Sequence, residues 1–513
     1  MINNTMIKQL GQETAVTYRN RFKPSLLAAI GVLMVTFIAL FTAPYVGMAD
    51  NGDFFRIIYS NGLYFNSPHY DDQYFGYFVR QYGIYQYFNE NGATLNSSQS
   101  LFIKLAIGLN KLLFSREVFD IRFQAAIYTL LYVLAVYLLI EAITWKMPRR
   151  PGIIIAVTAI FIFGDTGYTA YFNSFYSESV VMIMMIFVFA SWLLLCRKRY
   201  NDYLLLFLFV AGSILLTASK QQNAPVGIII ACLSLTLLWV RKDKVFRLLT
   251  LGAMGLLLFT GIAVYQNISK EFVNINQYHS MTRGVLKESA NPETALKAFG
   301  INEQYAILNG SIYYEQYGTV DLNSQRMEDE FYNKFGFLSI LQYYVTHPAQ
   351  FGSILNEAAK SAFTIKPAAM GNYEESSGKA FREQSHFFTL YSLLKEKLAP
   401  KTFGFIVLWM VAIIGIYLPS FIRQVRSANF RGMQQMVLIL TTMAVGLSGI
   451  LVSIIGAGDA DISKHEFLFT LSFDLVTFLA LSGWISRWFK GSELPEAPDI
   501  TDSYQGGHKG VSA

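Results

Sequence analysis

The sequence predicts an all-α polytopic membrane protein: a bundle of about ten transmembrane helices (10–13), with juxtamembrane helices in its first exoplasmic loop and a small helical domain outside the membrane. Three observations lead there. Hydrophobic residues fill 53% of the 513 positions and charged ones only 15%, with a mean hydropathy of +0.34, which is too apolar for a chain of soluble domains. Ten stretches are long and apolar enough to cross roughly 30 Å of hydrocarbon. Lys and Arg gather in alternate loops between them, as the positive-inside rule requires.

The ten stretches run from Leu26 to Tyr45, Phe123 to Trp145, Gly152 to about Tyr171, Ser179 to Cys196, Tyr203 to Ser219, Ala224 to Val240, Leu248 to Tyr265, Phe403 to Pro419, Met436 to Ile455 and Phe467 to Ile485. Lys8, Arg19, Arg21 and Lys23 precede the first. Clusters at Lys146–Arg150, Arg197–Arg199 and Arg241–Arg247 follow the second, fourth and sixth, Arg423, Arg426 and Arg431 follow the eighth, and Arg487 and Lys490 follow the tenth. Both termini are therefore expected in the cytoplasm, with the first span kept as a signal anchor. The net charge of +6 is largely this topological signal and gives no reason to propose nucleic acid as a partner. Cys196 and Cys232 fall in or at the ends of spans, so neither a disulfide framework nor a thiolate metal site is suggested.

Four organisational units follow: residues 1–265, an N-terminal bundle whose first exoplasmic loop (46–122) carries the chemistry; 266–401, a mainly helical extracytoplasmic domain; 402–487, the C-terminal spans; and 488–513, a polar, disordered cytoplasmic tail. In the first loop, Leu101, Leu105, Leu109 and Leu112 recur at helical spacing opposite Lys104 and Lys111, the pattern of a helix lying on the membrane surface. Helical patterning in the 266–401 unit breaks at His347-Pro348, where a new helix should start.

The unusual polar residues lie in the exoplasmic segments. Asp50 and Asp53 follow the first span, and Asp53 either caps a helix beginning FFRIIYS or acts as a general base at the membrane surface. Arg56, one turn on, is placed to pair with Asp53 or with a lipid phosphate. Asp71 and Asp72 form a second acidic pair, of which at most one faces the site. The third span must run on through GDTGYTAYF, leaving Asp165 at the edge of the hydrocarbon in need of a partner or a task. Asn173 and Glu178 follow it. Lys220, Lys464 and His465 are cations or potential cations outside, against the topological rule, and imply an anion there: Asp165 and its neighbours, or the phosphate of a lipid substrate. Asp474 lies deeper and must pair across the bundle. The aromatic run YFGYFVRQYGIYQYF suits stacking against sugar rings as well as an interfacial belt.

NGDFFR, YFNSFYSE and KHEFLF, set in this arrangement of loops, resemble the bacterial glycan-biosynthesis hexose transferase family of cell-surface and S-layer glycan type, a branch of the type-C (GT-C) glycosyltransferases. The likeness spans Asp50 to about Asp474. It implies an enzyme that moves a hexose from a polyprenyl-phosphate-linked donor to a cell-surface glycan acceptor on the outer face of the membrane. By position the base would be Asp50 or Asp53, and Arg56, Lys220 and Lys464 would stabilise the departing phosphate. No cofactor, a divalent metal included, is specified by the sequence. The alternatives are a flippase or transporter of lipid-linked glycans, or a glycan polymerase or ligase. A transporter would require polar groups along several spans down to the midplane, whereas the polar residues here gather at one face.

Overall fold

The computed structural model describes residues 23–87, 95–315, 318–460 and 462–491; the basic N-terminal residues Lys8, Arg19 and Arg21 and the tail from Glu493 lie outside these. Among the described residues eight helices are long and apolar enough to cross a membrane: Pro24–Phe41, Arg122–Thr144, Glu178–Arg197, Gln221–Trp239, Lys244–Gln266, Phe403–Arg426, Phe430–Ala457 and Phe467–Phe489. A ninth span would be the pair Arg149–Phe163 and Thr166–Asn173, and the apolar helix Asp202–Thr217 is shorter, at 16 residues. Every apolar stretch of the sequence thus corresponds to one of these helices, and the protein is an all-α polytopic membrane protein.

Glu178–Arg197 forms the axis of the bundle, with 94% of its apolar window buried; it is apolar all round because protein surrounds it. Lys244–Gln266 and Phe403–Arg426 lie at the periphery, with 22% and 17% buried, and turn large apolar side chains such as Leu248, Phe259 and Leu408 outward, where lipid replaces protein.

The third span departs from the continuous helix expected. It bends by 47° at Gly164–Asp165 because the Asp165 carboxylate accepts the Gly167 backbone N–H at 2.7 Å and so caps a new helix, Thr166–Thr169. Beyond the bend the chain continues as a buried 3-10 turn, Ala170–Asn173, and then as buried irregular backbone through Ser174, Phe175 and Tyr176. Asn173 donates to the Leu40 and Val46 carbonyls, tying this turn to the exit of the first span.

The first loop contains the two expected juxtamembrane helices, Phe54–Ser60 and Gln99–Leu113. The second buries Ile103, Ala106 and Ile107 and exposes Leu101, Leu105 and Leu112 together with Lys104 and Lys111, so the leucines and lysines expected on opposite faces share the exposed side and a separate aliphatic face packs on the protein. The same loop carries a small antiparallel sheet that patterning did not reveal: β1 (Leu63–Tyr64), β2 (Gln81–Ile84) and, after the second helix, β3 (Val118–Asp120), paired in that order with Leu63 opposite Ile84 and Tyr82 opposite Phe119. Strands this short carry too few alternations to read.

The segment between the seventh and eighth spans is mainly helical, and Pro348 opens the helix Pro348–Ser361 as expected. Its core of Met281, Leu296, Phe331, Ile340 and Ile354 is continuous with Ile406, Ile450, Ile454 and Phe469 of the spans, so the segment is seated on the bundle. The loop after the ninth span closes against it at Gly458, whose φ of +59° and contact with the Arg283 backbone leave no room for a Cβ. There Arg283 forms a two-pronged ion pair with Asp459, at 2.6 and 3.0 Å.

Asp474 is fully buried in the last span. Lys395 reaches its carboxylate at 2.6 Å and Tyr391 at 2.7 Å, and the Tyr168 hydroxyl bonds the other oxygen. Lys395 belongs to the helix Leu390–Leu398, so this cluster ties the long segment to two spans. Removing one partner of such a pair strands a buried charge. Lys395→Met is expected to cost about 3–5 kcal/mol, read as a lower melting temperature in detergent, and the double variant Lys395→Met/Asp474→Leu should recover most of that loss.

Candidate functional site

Local backbone chemistry sets out the Asp50–Asp53 loop. Asp50, only 3% exposed, turns its carboxylate back on the chain: Oδ1 accepts the backbone N–H groups of Gly52 (2.8 Å) and Phe54 (3.2 Å), and Oδ2 accepts the Tyr70 hydroxyl at 3.3 Å. The cap of Phe54–Ser60 is therefore supplied by Asp50, and Asp53, at the position expected to cap, makes no side-chain cap bond. That frees the Asp53 carboxylate. Neighbouring chain locks the loop from both sides, since Ala49 N–H donates to the Gly371 carbonyl and Phe75 N–H to the Asp50 carbonyl. Tyr176 joins it to the fourth span, donating to the Ala49 carbonyl and accepting the Asn51 N–H, both at 2.9 Å.

Asp53 pairs with Lys464, across almost the whole chain. The lysine side chain is 6% exposed and the aspartate side chain 52% exposed, so the pair presents its acidic half outward. Lys464 also lies over the Tyr176 ring at 5.3 Å. Its neighbour His465 bonds the Gln222 side chain through Nδ1, and Gln222 donates to the His465 carbonyl at 2.9 Å. Two residues before Gln222, Lys220 reaches the buried Glu178 carboxylate at 2.6 Å. Arg56 donates to Glu271 at 2.8 Å and to the Tyr314 hydroxyl at 3.0 Å, its guanidinium sandwiched by Phe55 and Phe272. The first loop, the turn before the sixth span, the long segment and the last loop thus converge on one face.

The two aspartates differ electrostatically. Burial pushes the Asp50 carboxyl up to about 7, against the pull of its backbone donors. Burial also acts upward on Asp53, but the Lys464 ammonium and its hydrogen bond outweigh it and hold that carboxyl down at about 2. Glu466, beside this cluster in sequence, is fully buried with neither carboxyl oxygen partnered, and burial raises it well above the ordinary glutamate range.

Several sequence expectations are redistributed by this geometry. Asp53, Lys464, His465, Lys220 and Glu178 come together through the loops described. Asp165 does not meet Lys220 or Lys464; its oxygens are taken by Gly167 and by the backbone and hydroxyl of Ser392, at 2.9 and 2.8 Å, which makes it a fastener for the Leu390–Leu398 helix. Asn173 is likewise spent on backbone carbonyls, and Asp71 and Asp72 are exposed. Tyr176, Asn51, Gln222 and Glu271 were not singled out from sequence. Asn51 and Gln222 lie inside NGDFFR and KQQN, where a polar residue next to a candidate cation or acid was the available signal. Among the described residues no group of three or more His, Cys, Asp and Glu could hold a metal ion.

A bundle of apolar helices with a polar cluster built from its loops at one face defines a multi-pass membrane protein in contact with the lipid bilayer. By sequence comparison the chain belongs to the YfdI N-terminal transmembrane domain family, whose pattern it matches over residues 11–497. No curated protein and no solved structure matches it.

Folding fixes a proton on Asp50 that the unfolded chain releases near its ordinary value, so stability should fall as pH rises from about 4 to about 7. Asp50→Asn keeps the oxygen that accepts both backbone N–H groups, and is expected to flatten this slope in thermal unfolding followed across that range. A slope unchanged by the substitution would assign it to other groups, Glu466 first among them.

Proposed function

We propose that this protein is an inverting membrane glycosyltransferase that moves a hexose from a polyprenyl-phosphate donor to a cell-surface glycan on the extracytoplasmic face of the membrane, with both termini in the cytoplasm. The observation that carries the reading is a half-exposed carboxylate, Asp53, held against a buried lysine at a membrane face with two further cations close by.

Asp53 is the base and Asp50 the brace. Asp50 is spent on two backbone N–H groups and a tyrosine, and it fixes the turn from which Asp53 projects. With donor absent, Lys464 neutralises Asp53. A phosphate entering beside Lys464 offers the ammonium a more highly charged partner, and as the pair loosens the pull of Lys464 that holds the Asp53 carboxyl down relaxes, raising its affinity for a proton. The acceptor hydroxyl then gives its proton to the Asp53 carboxylate while its oxygen forms the new bond to the anomeric carbon. The bond from that carbon to the phosphate oxygen breaks, and the lipid phosphate leaves with the electron pair, its charge met by Lys464, Lys220 and Arg56. Attack opposite the leaving group inverts the anomeric centre.

Asp53→Asn is expected to lower transfer by about 10²-fold or more in protein that still folds, with some loss of melting temperature because the buried Lys464 ammonium loses its anionic partner. Lys464→Met should, in addition to a slower reaction, raise the acidic limb of the kcat/KM profile, because the lysine that depresses the Asp53 carboxyl is gone; Lys464→Arg should keep the limb low. Full activity in Asp53→Asn, assayed with a synthetic polyprenyl-phosphate hexose and a cell-envelope glycan fraction, would remove Asp53 from the mechanism.

A further inference from the structure

A cavity of about 600 Å³ opens in the long segment between the seventh and eighth spans, within the size range of ligand sites. Tyr278, 2% exposed, forms part of its wall and bonds Ser311 through its hydroxyl at 2.5 Å. Tyr313 stands edge-on to Tyr278, with ring centroids 5.8 Å apart, and its hydroxyl donates to Asn323 at 3.0 Å. Tyr314, 62% exposed, stands at the rim edge-on to Tyr313 with ring centroids 5.2 Å apart, and Asp321 and Asn323 are also exposed there. Tyrosine faces set among amide and carboxylate groups are what a pyranose ring requires: its C–H faces pack on the rings and its hydroxyls bond the polar rim. Among the described residues no lysine or arginine lines the cavity, and the charged ones that do, Glu315 and Asp321, are both acidic. An anionic ligand is therefore disfavoured, in contrast to the cation-rich face around Lys464.

The cavity is joined to that face through one residue. The Tyr314 hydroxyl accepts from Arg56 at 3.0 Å, and Arg56 lies in the first turn of the helix that follows Asp53. We infer that the cavity is the binding site for the neutral oligosaccharide portion of the acceptor, stacked on Tyr314 and Tyr313, with the chain leading past Arg56 so that its reacting hydroxyl arrives at Asp53. This rests on the transferase reading above and adds to it a second subsite that selects acceptors by length.

The test is ligand-observed saturation-transfer NMR on the full-length protein in detergent without donor. The probes are oligosaccharides of graded length released by mild acid from the cell-envelope polysaccharide of the producing cells, and transfer to the same oligosaccharides is assayed in parallel. Aromatic irradiation should reach the sugar protons, more strongly for the longer probes. Affinity is expected to fall about three- to tenfold in Tyr314→Ala and to hold in Tyr314→Phe, which keeps the ring. Asn323→Ala, away from Arg56, should weaken binding by a similar factor without altering the melting temperature. Absence of saturation transfer in the wild type, or equal affinity in all variants, overturns the inference whether or not sugar transfer proceeds. Ring-dependent binding with no transfer from any donor upholds the cavity as a glycan site and overturns the transferase reading instead.

Discussion

The contact between Asp53 and Lys464 organises the functional face of this protein. It joins residues 411 positions apart, from the first loop and the last, and each arrives by a different route. Asp53 is presented by a loop whose turn Asp50 closes. Lys464 sits in a loop anchored upstream by Asp459, which Arg283 and Lys287 of the long segment hold. The ion pair therefore forms only when the first loop, the spans and the long segment are all in place, and the helical packing determines where the two charges meet.

Buried charge elsewhere serves attachment. Asp474 with Lys395, Asp165 with Ser392, and Asp202 with Arg431 and Arg241 each fasten one element to another and leave little side chain exposed. Their carboxylates are saturated by partners. Asp53 differs in pairing with a cation on one side while half its surface stays open. That difference separates a group able to meet a substrate from groups that hold the fold. The deep polar cluster at Asp474 is likewise closed on itself, its carboxylate taken by Lys395, Tyr391 and Tyr168.

Much of this was legible in the sequence and some could not be. The apolar stretches were visible because hydrocarbon thickness imposes a length, and Pro348 marked a helix start because proline lacks the N–H an interior position needs. The residues around Asp53, Lys220 and Lys464 stood out as charges in costly places. Their partners did not. Nothing local indicates that Lys220 would choose Glu178, or that Ser392, 227 positions away, would satisfy Asp165 and remove it from the site. The cap expected of Asp53 is supplied by Asp50, because the bond from the Phe54 N–H reaches back four residues across the turn at Gly52. Glu466 passed unnoticed because a glutamate beside a helix start reads as solvated, and only tertiary packing buries it.

The most direct test places purified protein in liposomes with a polyprenyl-phosphate hexose labelled at its anomeric carbon and supplies a cell-envelope glycan on the outside only. The account predicts that label joins the glycan with the anomeric configuration opposite to that of the donor, and that free polyprenyl phosphate accumulates in equal amount. Labelled lipid that crosses the bilayer intact, with no label on glycan and no lipid phosphate released, would contradict it and identify a flippase.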